Sequence, residues 1–198
     1  TWGAGYFDLA DDGAVAVSVT IDGQRVSISF SDIIAGMQQR GLQMPVLLRI
    51  ENLLDSQISL LNDTFARAIA SLNYRGSYRG VFPIKVNQQR HVVTELIRAG
   101  RDLSLGLEVG SKPELQAVLA LTQHANHMIV CNGYKDEEFM RLALMGQKLG
   151  HRVLIVIEKL GEIDTLLKIA QRMDVKPTAG VRTRLLSLGV AAVVLAAA

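Results

Sequence analysis

A lysine, Lys85, ends a short apolar run directly before the expected start of a helix, in the segment VFPIKVNQQR. Lysine at the end of a strand ordinarily marks the solvent end of that strand. The amine of a desolvated lysine can also act as a nucleophile toward a carbonyl carbon. This segment alone leaves both interpretations of Lys85 open.

A carboxylate occupies a similar position in the segment GLEVGSKPEL, where Glu108 lies just before the end of an apolar run. An acid at a strand end can reach the mouth of a barrel, and it can equally be a solvated carboxylate. Ser111 and Glu114 form a Ser-x-x-Glu capping box, and Pro113 suits a first helical turn. We therefore expect these three residues to be structural.

The segment VCNGYKDEE combines a turn with an acidic helix start. Asn132 and Gly133 predict the turn. The three acids at 136–138 fall in a first helical turn, where the helix dipole favours negative charge, so we interpret them as structural. Cys131, within MIVCNG, is expected to be a buried apolar residue and not a nucleophile.

Other catalytic or binding motifs are not recognised. The histidines show no metal-ligand spacing, so no metal site is predicted. No strand is followed by a Gly-x-Gly-x-x-Gly fingerprint or a Walker-type loop, which argues against nucleotide binding and favours chemistry at the carboxyl ends of barrel strands. The four histidines are His91, His124, His127 and His151.

Composition indicates a globular chain of 198 residues with a net charge of +2, scattered basic residues and 5% aromatic residues, which argues against nucleic acid as a partner. No signal peptide is visible, and VAAVVLAAA, read as a chain end, is shorter than the roughly 20 residues of a membrane span. The single cysteine fits a reducing compartment. We expect a cytoplasmic protein that does not bind membranes.

Two regions differ in pattern. Residues 1–45 form a predicted β-rich segment, with a hairpin turn at Asp22-Gly23 and a short helix from Ser31 to near Gly41. Residues 46–198 form the second predicted domain. Pro45 opens the segment PVLLRI, a strand or an extended lead-in, which runs into this domain, and a long helix follows from Asn52.

Apolar runs then alternate with helical stretches, which indicates successive βαβ units. Two architectures fit: an open doubly wound sheet and a closed barrel. A complete barrel takes about 250 residues and eight strands, and this chain supplies about five strands. The predicted strands lie in GVFPIKV, LSLGLEV, HMIVCNG, VLIVIE and TAGVRT, and the predicted helices lie near 88–99, 112–122, 135–149 and 162–173.

An ordered series of segments resembles the biosynthetic arginine decarboxylases, which are pyridoxal-phosphate enzymes of the alanine-racemase-like barrel class. The resemblance implies an α/β fold, the first part of a (β/α)8 TIM-like barrel preceded by a small N-terminal β element, and it extends to about Ser187. The segments are WGAGYFDLADDG, GVFPIKVNQQRHVV, LGLEVGSKPELQAVLAL, MIVCNGYKDEEFMRLALMGQKLGHRVLIVIEKLGEI and GVRTRL.

The resemblance also implies residue roles. Lys85 matches the lysine that forms a Schiff base with pyridoxal phosphate, and desolvation in a barrel mouth would favour its neutral amine. Glu108 matches an acid near that amine. Arg182 matches an arginine close to the cofactor, with Arg184 as the alternative in register. The implied reaction converts L-arginine to agmatine and carbon dioxide in polyamine synthesis, in a homo-oligomer. Mg2+ is implied by the family only, without a site here.

The family pattern also contains features that are not found here: a histidine that stacks on the ring, a glycine-rich phosphate loop, an acid at the ring nitrogen and a cysteine segment from a neighbouring subunit. Likeness ends where VAAVVLAAA begins. We therefore expect an incomplete chain that is inactive by itself and that aggregates or depends on a partner, because an unclosed barrel exposes sheet edges and apolar helix faces. The alternatives are a decarboxylase for ornithine, lysine or diaminopimelate, a non-catalytic pyridoxal-phosphate-binding barrel, and a product with no function beyond interaction with full-length subunits.

Overall fold

The structure is a computed structural model that describes residues 3–21, 23–122, 127–184 and 192–197, with the backbone alone from residue 183 onward. The chain divides into two compact units, residues 1–60 and 61–198. The domain boundary predicted between residues 45 and 46 stays a prediction.

The first unit is built on a three-stranded antiparallel sheet in the order β1-β2-β3. Ile21 pairs with Gln24 across the two-residue loop, in which Gly23 has φ +78°, so the predicted hairpin is confirmed. The strands are β1 (Phe7–Leu9), β2 (Val15–Ile21) and β3 (Gln24–Ser29).

Two helices follow this sheet. Helix α1 (Phe30–Gln39) is capped by the Ser29 hydroxyl, which accepts the Asp32 N–H at 3.2 Å. Residues 46–50 form no strand and lead into helix α2 (Glu51–Ser71), so a strand in PVLLRI is not observed. The 21 residues of α2 extend from the first unit into the second.

The second unit contains five parallel strands whose order in the sheet follows the order in the chain, β4-β5-β6-β7-β8. A doubly wound sheet reverses its strand order at a switch point, and this sheet does not. Because βαβ crossovers are right-handed, consecutive strands that all advance in one direction leave their helices on one face, as in a βα barrel. The strands are β4 (Val81–Pro83), β5 (Gly106–Val109), β6 (Met128–Cys131), β7 (Arg152–Ile157) and β8 (Thr178–Arg184), and the helices are α3 (Arg90–Ala99), α4 (Lys112–Leu121), α5 (Glu137–Lys148) and α6 (Leu160–Met173).

A sixth strand is present beyond the five that the sequence predicted. Residues Ala192–Ala197, interpreted from sequence as a chain end, form β9, which pairs antiparallel with β8. The backbone groups along the free edge of β8 are a template for pairing, and the segment AVVLAA is rich in strand-forming residues.

The core lies between this sheet and its helices. Side chains that alternate along the strands, among them Val109, Cys131 and Ile155, are fully buried against Leu115, Met140 and other helical residues. Because strand side chains alternate between faces, Glu108 and Arg182 fall on the opposite face of the sheet. None of the helices that the structure describes is long and apolar enough to cross a membrane.

Candidate functional site

The carboxyl ends of the five parallel strands meet at one edge of the sheet, and polar side-chain and backbone groups collect there. This edge is where βα barrels place their chemistry. The residues concerned are Lys85 after β4, Glu108 in β5, Asn132 and Gly133 after β6, Glu158 after β7 and Arg182 in β8.

Lys85 and Glu108 are brought together by strand register. Pro83 pairs with Glu108 between β4 and β5, and Lys85 follows two residues later. The Lys85 Nζ atom lies 3.6 Å from Glu108 Oε1. The expected strand through Lys85 is shorter than predicted: β4 ends at Pro83, and Lys85 lies in a single 3-10 turn, residues 84–86.

The solvent exposure of this pair differs from the expectation of a desolvated amine. The Lys85 side chain is 63% exposed and that of Glu108 is 20% exposed. A sheet of five parallel strands leaves the amine facing solvent, whereas a closed barrel surrounds its mouth. An ion pair this exposed contributes about 1 kcal/mol or less to the free energy of unfolding. The Lys85–Glu108 pair therefore has little effect on folding stability.

Arg182 pairs with an acid that the sequence analysis did not identify. Ile157 and Val181 pair between β7 and β8, and the next residue on each strand is Glu158 and Arg182. Arg182 Nη1 lies 3.2 Å from Glu158 Oε1, and the same oxygen accepts the Gly133 N–H at 2.7 Å. Glu158 therefore connects the ends of β6, β7 and β8. The side chain of the alternative residue, Arg184, lies outside the described part of the chain.

The buried carboxylate of Glu162 binds the backbone of the two loops that follow β6 and β7. Glu162, in the first turn of α6, accepts the backbone N–H groups of Lys135 and Glu158, each at 2.9 Å. The fully buried Lys135 Nζ lies 3.4 Å from Glu162 Oε2 and donates to the Gly133 carbonyl. Burial by itself raises the pKa of Glu162, but the two backbone hydrogen bonds and the Lys135 charge outweigh it and hold that pKa below its usual range.

Other residues singled out in the sequence occupy structural positions. The Ser111 hydroxyl caps α4 through the Glu114 N–H, although Glu114 Oε2 accepts the N–H of Gly110 at 2.6 Å, one residue earlier than a standard capping box. Asp136 caps α5 by accepting the Phe139 N–H at 2.8 Å. Burial raises the pKa of the Cys131 thiol to about 12, which keeps it protonated.

No metal site is found among the described residues, where no three His, Cys, Asp or Glu side chains are grouped closely enough to bind an ion. His127 and His151 lie side by side, with ring centroids 6.3 Å apart. His124 lies outside the described residues.

Sequence reasoning missed Glu158, Glu162 and Lys135. One signal for Glu158 was present: it follows the apolar run VLIVI just as Lys85 follows its own run. For the buried pair there was no comparable signal, because Lys135 and Glu162 are 27 residues apart and each resembles a surface charge near a helix start.

Known proteins match this chain over the segments that carry the family resemblance. Residues 59–186 match the family model described as pyridoxal-dependent decarboxylase, pyridoxal binding domain. The biosynthetic arginine decarboxylase of Vibrio vulnificus is 46% identical over 191 residues, which are 95% of this chain and 30% of that protein. The biosynthetic arginine decarboxylase of Rhodopirellula baltica is 47% identical over 188 residues, covering 95% of this chain and 28% of that protein.

A solved structure shows the same arrangement. The crystal structure of the biosynthetic arginine decarboxylase from Campylobacter jejuni superposes with a TM-score of 0.83 at 29% identity, over 94% of this chain and 30% of the other. The chain therefore spans about a third of the length of the relatives it matches. The predicted family resemblance is confirmed, and so is the predicted fold class, the first part of a TIM-like barrel preceded by a small β element.

Proposed function

Because this chain belongs to the family of pyridoxal-dependent decarboxylases, we propose that it provides the lysine-bearing part of the active site of an arginine decarboxylase. The reaction is the conversion of L-arginine to agmatine and carbon dioxide, a step of polyamine synthesis in the cytoplasm by a homo-oligomer. The observation that supports this most directly is the Lys85 amine at a strand end, 3.6 Å from the Glu108 carboxylate.

The polar groups at this edge suit pyridoxal phosphate. An aldehyde carbon requires a primary amine, which Lys85 offers at an open position. An anionic cofactor requires cationic partners, and the partly exposed Arg182 guanidinium is one. The buried Asn132 Oδ1, which has no hydrogen-bond partner in the described part of the chain, is an unused acceptor at the same edge.

Each residue has a separate task in this proposal. Lys85 would hold the cofactor through its amine. Glu108 exchanges a proton with Lys85 Nζ, and their separation of 3.6 Å is of the kind that shortens when reactants bind. Arg182, in β8, would hold the anionic cofactor through its guanidinium. When bound, pyridoxal phosphate supplies a ring that accepts the electron pair left by departing carbon dioxide.

The first test is labelling of the intact gene product that contains this chain. Treatment with pyridoxal phosphate and then borohydride should leave a pyridoxyl group on Lys85, located by peptide mapping. Lys85→Ala should lose the label. The matched control is Lys112→Ala, because Lys112 also lies in the chain segment that follows a strand, at the first residue of α4, but pairs with Asp136 and Glu138. Label spread equally over several lysines would refute the role of Lys85.

The substrate is tested separately. Release of labelled carbon dioxide should be fastest from L-arginine when arginine, ornithine, lysine and diaminopimelate are compared in the same preparation. A preference for one of the other three would replace arginine while leaving the cofactor site intact. Mg2+ stays a prediction from the family resemblance, tested by activity before and after chelation.

A further inference from the structure

We propose that Glu158 is the positioning residue for Arg182: its carboxylate holds the guanidinium at the carboxyl edge of the sheet in the orientation that meets the cofactor. This inference rests on the proposed function, which gives Arg182 its contact with pyridoxal phosphate.

The contacts of Glu158 restrict the orientation of the Arg182 guanidinium. Glu158 Oε1 accepts the Gly133 N–H at 2.7 Å and lies 3.2 Å from Arg182 Nη1. A main-chain amide cannot rotate away as a side chain does, so the oxygen that it binds is fixed in place. A guanidinium paired with a fixed oxygen loses much of the freedom that arginine has at a surface.

The backbone of Glu158 is held as firmly as its side chain. Its N–H donates to Glu162 Oε2 at 2.9 Å, and the other oxygen of Glu162 accepts the Lys135 N–H at 2.9 Å. The loop after β6 and the loop after β7 are thus fastened to one carboxylate. These hydrogen bonds restrain the distance between the Gly133 amide and the Glu158 side chain.

Burial decreases from this support toward Arg182. Glu162 and Lys135 are buried, the Glu158 side chain is 15% exposed and the Arg182 side chain is 37% exposed. A partly exposed ion pair contributes little to folding stability. The rigid, buried groups therefore support a charged group that remains accessible at the functional edge, which is the arrangement that a positioning role requires.

The experiment uses the intact gene product and three substitutions: Glu158→Gln, Arg182→Gln and the double substitution. Glutamine at 158 retains an oxygen for the Gly133 N–H but removes the negative charge beside Arg182. The dissociation constant for pyridoxal phosphate is measured by spectroscopic titration, with the pH dependence of the visible absorption band. Each single substitution should weaken binding on the order of tenfold, and the double substitution should be no weaker than the weaker single variant.

Two further variants separate positioning from general structural damage. Glu158→Asp keeps the charge on a shorter side chain, so its affinity should fall between those of the wild type and Glu158→Gln. If Glu158→Gln does not fold, Glu158→Asp tests the same contact and must weaken binding. The matched control is Glu137→Gln on α5, whose carboxylate pairs with Arg141 at 2.8 Å on an exposed surface; its affinity should equal that of the wild type.

The outcomes separate this inference from the proposed function. A pyridoxyl label at Lys85 in the wild type, with weaker and non-additive binding in the variants, supports both. The same label with unchanged affinity in Glu158→Gln, or with fully additive losses, overturns the role of Glu158 and leaves the cofactor site in place. Absence of a label at Lys85 in the wild type overturns the proposed function, and the role of Glu158 with it.

Discussion

The backbone of Gly133 passes so close to that of Gly110 that a Cβ atom on residue 133 would lie 2.8 Å from the Gly110 carbonyl oxygen. Gly133 also has φ +76°, a conformation that residues with a side chain rarely adopt. These two residues follow β6 and β5 at the carboxyl edge. Close packing of the two loops therefore places the Gly133 N–H where it binds Glu158.

Gly133→Ala should be destabilising, because alanine meets both the short contact and the unfavourable backbone angle. We expect a loss of about 1–3 kcal/mol in the free energy of unfolding, measured from urea-induced unfolding. Gly161→Ala is the control: this glycine lies in α6 with open space around it, so alanine should stabilise by up to about 1 kcal/mol. Equal midpoints for the two variants would contradict the packing described here.

Glu162→Gln should loosen the loops after β6 and β7. The substitution leaves the buried Lys135 charge without its counter-ion, and such a break costs about 3–5 kcal/mol. Hydrogen exchange should accelerate at the amides of Lys135 and Glu158, which donate to Glu162. Glu138→Gln, at a carboxylate that is 80% exposed, should leave both amides protected. Unchanged protection in Glu162→Gln would rule out the fastening role.

The same carboxylate predicts a loss of stability in acid. The folded pKa of Glu162 is below the reference value of 4.5, so the unfolded state binds its proton first as the pH falls. Its stabilising contribution is fully present above about pH 4.5 and is lost as the pH falls through the lowered folded pKa. The difference in unfolding free energy between the wild type and Glu162→Gln should therefore shrink between pH 6 and pH 3. A difference that stays constant across that interval would contradict the stabilising role of the ionised Glu162 carboxylate.

His151 should produce a second pH dependence, nearer neutrality. Burial, and then the charge of neighbouring His127, lower the pKa of His151 below the reference value of 6.5. The unfolded state then binds the proton more readily, so stability should fall as the pH drops below about 6.5. His151→Leu should reduce this slope, whereas His91→Gln, on the exposed face of α3, should keep it. Melting temperatures at several pH values between 5.5 and 7.5 provide the measurement.

Cys131 should resist alkylation in the folded protein. Its thiol is fully buried, and burial raises its pKa to about 12, so the reactive thiolate is scarce at neutral pH. Iodoacetamide should label Cys131 slowly in buffer and rapidly in concentrated urea, where the thiol returns to an ordinary pKa. Labelling at equal rates in both solutions would show that β6 opens readily.

Much of the fold could be predicted because its signals are local. The Asp22-Gly23 hairpin, the Ser111 cap and the alternation of apolar runs with helical stretches each depend on residues a few positions apart. The resemblance also identified Lys85, Glu108 and Arg182 as candidates. Their catalytic and cofactor roles stay predictions, while their positions at the carboxyl edge of the sheet are now described.

Local pattern could not choose between a doubly wound sheet and a barrel, because both use the same βαβ units. Strand order decided it, since β4 to β8 follow one another without reversal. The segment 192–197 likewise became a strand only through the free edge of β8.

By itself, the sequence determined the elements, the family resemblance and the candidate lysine. The resemblance implied that Glu108 lies near Lys85; the tertiary structure gave the distance between them and alone decided the other partners, Glu158 for Arg182 and Glu162 for the buried Lys135. The physical reason is that these pairs join residues 23, 24 and 27 positions apart (108 − 85, 182 − 158 and 162 − 135). Their contact is set by the register of neighbouring strands and by loop packing, which no local sequence pattern encodes.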